Sequence, residues 1–398
     1  MKTVSVPWAM WYGDSFEMTF PESWEVMVAN MRGGPDIGDE GIRQAFARPI
    51  GTPPLRELAR GRRDAAILID DLTRPTPSYR IVPYILEELA AAGIGDGRVR
   101  IVCALASHRA MTRQDLIKKL GQDLVERLYV TNHNAHDNLE FYGLSSEGVP
   151  IWVNRDLARA DVKIAAGMIM PRGPFFGGGA KLLLPGACGW HTIYADHAYC
   201  PAERFRQHAA QVARMVGLAF IANPLLNMEG GIMAMVTGDP EEAYWHGAEI
   251  GKTLYGTAIP EGMDVVICNA WPKDSEATQS GMSLVPVRAT SHKLLKEGGT
   301  LAIATASPEG LGYHSLMGPG TLLRTRAQAA PRSGGRAIQE VDILFSPNLN
   351  QHDVRALYGE DVQFCQAWPE VIALLERKHG PSARVCVFPC GAMQHALA

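Results

Sequence analysis

Residues 65–93 read AAILIDDLTRPTPSYRIVPYILEELAAAG. The apolar run Ala65–Ile69 stops abruptly at two adjacent carboxylates, Asp70 and Asp71. A run this short, carrying β-branched Ile67 and Ile69 and bounded by polar residues, reads as a buried strand. After a proline-stiffened turn, Ile81, Val82, Ile85, Leu86 and Leu89 recur at helical spacing, and Gly93 ends that helix. The pattern then repeats. Residues 99–105 are a second strand running into ASHRAMT, 113–128 (RQDLIKKLGQDLVERL) a helix, and Val162–Ala166 another strand. This alternation predicts an α/β fold with a mostly parallel sheet and helices on both faces.

A second set of α/β signals starts near Gly262. Strands are expected at 264–268, 298–306, 341–346, 361–365 and 383–389, and helices at 284–296 and 368–378. Residues 326–337 (RAQAAPRSGGRA) read as a long loop. The division expected is an N-terminal α/β domain over 1–262 and a C-terminal one over 263–398, the last residues packing back on the first. Ligands of open α/β sheets sit beyond the carboxyl ends of the strands. DDLTRPTP, ASHRAMT and PRGPFFGGGAK all fall at such ends, and NAWPKDSEATQ does so in the second unit. A cleft between two α/β domains is the simplest arrangement that lets these loops face each other.

With 398 residues, 46% hydrophobic and 20% charged, the chain is globular and long enough for two domains. Its formal charge of −4 gives no argument for nucleic acid or an anionic membrane. No apolar run is long enough to span a bilayer, and the N-terminus reads as a strand and turn rather than a secretory leader. The seven cysteines are odd in number, lie in apolar contexts and form no CxxC pair. They point to reduced thiols in the cytoplasm, without a structural zinc site.

In DDLTRPTP, Thr76 or Ser78 is placed to cap the next helix, whose N-terminus can take an anion, and Arg74 can grip a carboxylate or phosphate. A capped helix with a surface ion pair fits the same letters. His108 in ASHRAMT sits where it can exchange protons near neutral pH, or can be a satisfied structural histidine. PRGPFFGGGAKLLLPG, residues 171–186, is not a P-loop, because Lys181 is followed by Leu182 rather than Ser or Thr. Gly177, Gly178 and Gly179 imply positive φ or close backbone approach. Lys181 between apolar neighbours is a candidate nucleophile. His191 and His197, six apart, do not share a helical face, so one metal ligand from this segment is expected rather than two.

Taken in order, these motifs resemble the nickel-dependent lactate racemase family. DDLTRPTP is similar to that family's DDxTRPTP, SHRAMT to its HRPMT-like loop, and GMIMPRGPFFGGGAKLLLPG to its GxIEPHxxAGFSGGxKxxxPG segment. His197 follows Lys181 at the family's interval of sixteen. ANPLLNMEGGIMAMVTGDPEEAYWHG and WPKDSEATQ resemble two later family stretches. The resemblance implies two α/β domains holding a nickel-pincer nucleotide (pyridinium-3-thioamide-5-thiocarboxylic acid mononucleotide). Lys181 matches the lysine that carries this cofactor covalently, with Gly177, Gly178 and Gly179 as cofactor-binding glycines that leave room for its ring beside the backbone, and His197 matches the nickel ligand. Asp71 and Arg74 match polar residues that serve cofactor and substrate, and His108 matches one of two acid–base histidines. The small-molecule substrate implied is a 2-hydroxy acid, inverted by hydride transfer at C2. Cofactor-building enzymes are the implied transient partners, and a homodimer the implied assembly.

Three positions depart from the family pattern. Arg172 stands where the second histidine is expected, Thr278 where a tyrosine is, and Met282 where a lysine is, while Gln279 is kept. A guanidinium stays protonated at ordinary pH, so Arg172 cannot be the second proton acceptor. The expected role is that Arg172, with Arg74, Thr278 and Gln279, binds a substrate other than lactate. His133, His136 or His191 would then complete the acid–base pair. The alternatives are a one-sided redox half-reaction, or a non-catalytic protein that binds the cofactor or an anion.

Overall fold

The computed structural model describes residues 1–173, 175–288, 290, 294–329 and 341–397. The chain forms two compact units. A terminal unit comprises Met1–Gly33, Pro171–Gly173 and Lys252–Ala398, and a central unit Gly34–Met170 and Pro174–Gly251.

The central unit is built on a six-stranded sheet in the order Ile232–Gly238, Phe220–Leu226, Val162–Ala166, Ala65–Ile69, Val99–Cys103, Tyr129–Asn132. All neighbours are parallel except Ile232–Gly238, which pairs antiparallel. Ala65–Ile69 and Val162–Ala166 are buried at every position. That is why Ala65–Ile69 reads as an unbroken apolar run rather than an alternation, while in Val162–Ala166 the one interruption is Lys163, whose Nζ donates to Ala160 O at 2.7 Å. Helix Ser78–Ala91 buries Ile81, Val82, Ile85, Leu86 and Leu89 and stops before Gly93, whose φ is +90°. Neither Thr76 nor Ser78 caps it, since the N-cap is Pro77 and Thr76 turns inward to Asp70. The helix expected over 113–128 is two, Arg113–Leu120 and Gln122–Arg127, broken by Gly121 at φ +81°. Thr112 caps the first of them, in a reciprocal capping box with Asp115.

The terminal unit holds a second six-stranded sheet, all parallel, in the order Gln363–Cys365, Ile343–Phe345, Leu295–Ala304, Met263–Asn269, Arg384–Phe388, Glu25–Val28. Successive residues of Met263–Asn269 face opposite layers. Val265 and Ile267 join one core with Trp8, Phe20 and Trp368, while Val266 and Cys268 join the other with Leu284 and Leu357. The hairpin Lys2–Trp8/Asp14–Phe20 packs on the first of these layers. The boundary expected at 262 is therefore not the division found. Residues 1–33 belong with the C-terminal half, because Glu25–Val28 pairs with Arg384–Phe388. The helix expected over 284–296 also ends early, since Leu295 already opens a strand. Of the loop expected over 326–337, Arg326–Ala329 belong to helix Leu322–Ala329, and 330–337 lie outside the described residues. No helix among the described residues is long and apolar enough to cross a membrane.

Asp274 of the WPKD stretch is fully buried and accepts from the backbone N–H groups of Ala9 (2.8 Å) and Met10 (3.2 Å). It thereby holds a hairpin tip in which Ala9 and Trp11 have positive φ, at 51° and 72°. Burial pushes its carboxyl up to about 6 despite those two donors. The folded protein thus holds this proton more tightly than the unfolded chain. Its contribution is full below about pH 4 and is lost as pH rises through about 6. Relative to Asp274→Asn, wild type should lose stability on the order of 3 kcal/mol between those limits. Denaturant unfolding of both proteins across the pH range checks this, and parallel curves would contradict it.

Candidate active site

Three adjacent strands of the central sheet, Val162–Ala166, Ala65–Ile69 and Val99–Cys103, run parallel. The glycine-lysine segment, DDLTRPTP and ASHRAMT leave from their carboxyl ends. The backbone stitches these loops together. Ala104 N donates to Ile69 O (2.8 Å), and Ala106 N to Gly186 O (2.9 Å).

Asp71 is the hub of the first cluster. It is 4% exposed and takes the Nδ1 of His108 on one oxygen. Its other oxygen accepts from Thr73 Oγ1 (2.6 Å) and Thr73 N (3.0 Å). Arg74 Nη1 donates to Thr73 Oγ1 at 2.7 Å. Burial alone would raise the Asp71 carboxyl. The charge and hydrogen bond of His108, then Arg74 and Thr73, outweigh it and hold the group well below the usual carboxylate range. With Nδ1–H donated to Asp71, a neutral His108 carries its lone pair on Nε2, the form a general base needs.

Under this cluster lies a residue that the sequence reading passes over. Lys119 is fully buried, and its Nζ pairs with Asp70 Oδ1 (2.6 Å) while donating to Asp71 O (3.0 Å) and Arg74 O (2.9 Å). The second Asp70 oxygen accepts from Thr76 Oγ1 (2.6 Å) and Met168 N (3.3 Å). One buried ammonium therefore fixes the turn that carries Asp71 and Arg74. Burial pushes Lys119 below its usual range, opposed chiefly by Asp70.

The glycine segment is held from behind. Gly178 and Gly179 have φ of +87° and +57°. A Cβ on Gly178 would stand 2.8 Å from Met168 O, and one on Gly179 2.9 Å from the Tyr244 ring. The protein's own packing therefore requires glycine at both positions. Gly177 N donates to Met170 O (2.7 Å), and Gly179 N to Asn223 Oδ1 (2.9 Å). Arg206 donates to Gly178 O (3.1 Å) and lies 3.5 Å over Tyr244, whose hydroxyl donates to Phe176 O (2.7 Å). Asn223, Arg206 and Tyr244 were not expected to serve this segment, because they come from later elements, 28 to 68 residues beyond the groups they hold.

Lys181 and His197 meet at one ring. The Lys181 Nζ lies 5.7 Å from the Phe205 centroid and 5.2 Å from that of Phe175, and the His197 ring centroid is 5.2 Å from Phe205. His197 Nδ1 donates to Ile193 O (2.8 Å), which leaves the lone pair of a neutral ring on Nε2, the atom a metal would take.

Of the histidines expected to complete an acid–base pair, His133 is excluded. It is 3% exposed, its Nε2 donates to Cys188 O (2.8 Å), and its Nδ1 accepts from Asn154 (3.3 Å). Burial pushes it down to about 4, so it is neutral and structural. His136 and His191 share a surface pocket of about 270 Å³ with Trp152 and Arg155.

Arg172, Thr278 and Gln279 belong to the terminal unit. Thr278 and Gln279 are buried and both donate to Glu276, at 2.6 and 3.1 Å. Met282 packs against Val285, Ala392 and Met317, an apolar setting in place of the lysine the pattern calls for.

Residues 12–208 match the sequence profile of the lactate racemase N-terminal domain. The lactate racemase of Lactiplantibacillus plantarum is 31% identical over 297 residues, 70% of this chain and 69% of that protein. The chain belongs to the lactate racemase family. A lactate racemase of Thermoanaerobacterium thermosaccharolyticum is 30% identical over 291 residues, 68% of this chain and 66% of that protein. The solved lactate racemase apoprotein from Thermoanaerobacterium thermosaccharolyticum matches with a TM-score of 0.75 over 100% of both chains at 21% identity. A Thermotoga maritima protein matches at 0.67 and 15% identity, over 92% of this chain and all of the other. These two likenesses show the fold. Membership of the lactate racemase family supports a racemase-type, isomerising function.

Proposed function

We propose that this protein is a racemase or epimerase of a 2-hydroxy acid other than lactate, dependent on a nickel-pincer nucleotide. The Asp71–His108 pair carries the reading. It is a buried carboxylate holding a histidine in the general-base tautomer, at the carboxyl end of the central sheet. The residues present fit the cofactor. Lys181 would carry it and His197 Nε2 would ligate the nickel, and the two side chains already share the Phe205 ring. When bound, the group supplies a hydride acceptor for C2 of the substrate.

The chain's own residues do the rest. His108 Nε2 takes the substrate hydroxyl proton and returns it, while Asp71 holds the opposite ring nitrogen. Arg74, anchored on Thr73, offers a guanidinium to the substrate carboxylate. Arg172 in place of histidine, and Met282 in an apolar cluster in place of lysine, favour a substrate of different shape and charge from lactate.

The test is a screen of 2-hydroxy acids with cofactor-loaded protein in deuterated water. Inversion should keep the substrate's own hydrogen at C2. Deuterium entering C2 during turnover, or no inversion of any 2-hydroxy acid by fully loaded protein, would overturn the reading.

A further inference from the structure

Helix Trp190–Tyr199 carries His197, and the residue before it turns into the interior. Asp196 is fully buried. Its Oδ1 lies 2.7 Å from His208 Nδ1, and His208, also buried, places its Nε2 2.8 Å from Ser145 Oγ. The other Asp196 oxygen, Oδ2, has no hydrogen-bond partner among the described residues, and the nearest cationic candidate, His197 Nδ1, is 3.5 Å away and already directed at Ile193 O. An orphaned carboxylate oxygen in the interior is costly unless something supplies positive charge. One helical turn on, Cys200 closes the same face, its N–H donating to Asp196 O (3.0 Å). The ligand atoms of Asp196, Cys200 and His208 all lie within 4.8 Å of one another.

We infer that Asp196, Cys200 and His208 form a buried site for a thiophilic divalent metal ion of the zinc class, separate from the nickel position at His197. The donor set of carboxylate, thiolate and imidazole is one that zinc accepts. Tetrahedral zinc spaces such ligands about 3.3–3.7 Å apart. The spacings here, 2.7 Å at the short end and at most 4.8 Å, bracket that range, so side-chain rotation suffices. The ion takes the place of the proton between His208 Nδ1 and Asp196, and that proton moves to Nε2, facing Ser145. Ser145 then orients the ligating imidazole as an outer-shell acceptor does in known metal sites. The Cys200 thiol proton is released to solvent, as metal binding to a thiol requires. The fourth position falls to water or to the second Asp196 oxygen. The ion joins the last turn of helix Trp190–Tyr199 to helix Phe205–Val216, so it would brace the helix on which His197 sits.

The probe is Co²⁺ alone, titrated into full-length protein made without cofactor-building enzymes. One equivalent should bind with a sulfur-to-cobalt charge-transfer band, and Zn²⁺ should bleach it. The band should vanish in Cys200→Ser, persist in His197→Ala, and need roughly 10–100 times more cobalt in Ser145→Ala. Absence of the band in wild type, its survival in Cys200→Ser, or its loss in His197→Ala would each overturn the site. None of these outcomes depends on whether Lys181 becomes modified, so failure here is distinguishable from failure of the racemase reading.

Discussion

Lys119→Met should lower the stability of the central unit by about 3–5 kcal/mol, the usual cost of leaving a buried ion-pair partner alone. The side chain is fully buried, and its ammonium is 2.6 Å from Asp70 Oδ1. Without it, Asp70 at 8% exposure keeps, among the described residues, the neutral donors Thr76 Oγ1 and Met168 N. The Asp71 and Arg74 carbonyls lose a shared donor at the same time. Adding Asp70→Asn to Lys119→Met removes the stranded charge and should restore most of the loss. Denaturant unfolding of the single and double variants reads both effects. A single variant within 1 kcal/mol of wild type, or a double variant no better than the single, would count against the buried pair.

Asp71→Asn should leave the fold nearly intact and lower kcat for 2-hydroxy acid inversion by about 10²–10⁴-fold, the contribution typical of a positioned general base. The asparagine amide offers His108 Nδ1 a donor where the carboxylate offered an acceptor. The imidazole then favours its other tautomer, with Nε2 carrying the proton it should be taking. Because the Asp71 carboxyl is held well below the usual range, its own titration should not shape the pH profile at ordinary acidity. Steady-state kinetics on cofactor-loaded wild type and variant check this. A loss under tenfold would remove Asp71 from the orienting role.

The strands at the heart of the site were legible because burial on both faces writes a run of apolar residues, unbroken in Ala65–Ile69 and interrupted in Val162–Ala166 by Lys163 alone. Their polar loops were legible because Asp70, Asp71 and Arg74 follow closely on Ile69, and His108 follows closely on Cys103. Lys119 was not, because a Lys118-Lys119 pair inside an amphipathic helix looks like a solvated face. The signal that could have found it is the Asp70-Asp71 pair, since two carboxylates at the end of a buried strand need a cation. Gly121 breaks the helix expected over 113–128 through a positive φ that helical spacing does not reveal. The place of residues 1–33 rests on pairing Glu25–Val28 with Arg384–Phe388, a contact too distant in sequence for periodicity to show. Thr76 reads as a helix cap from its neighbours, yet its hydroxyl donates to Asp70 and its oxygen accepts from Met168 N, so both of its roles are taken up away from the helix.

The most direct test of the central claim is the intact mass and nickel content of the protein co-produced with the family's cofactor-building enzymes. Wild type should carry a covalent adduct on the peptide containing Lys181, with nickel bound in proportion. Lys181→Ala should show the bare polypeptide mass, and His197→Ala should keep the adduct while losing most of the nickel. An unmodified wild-type chain without nickel under those conditions would contradict the account.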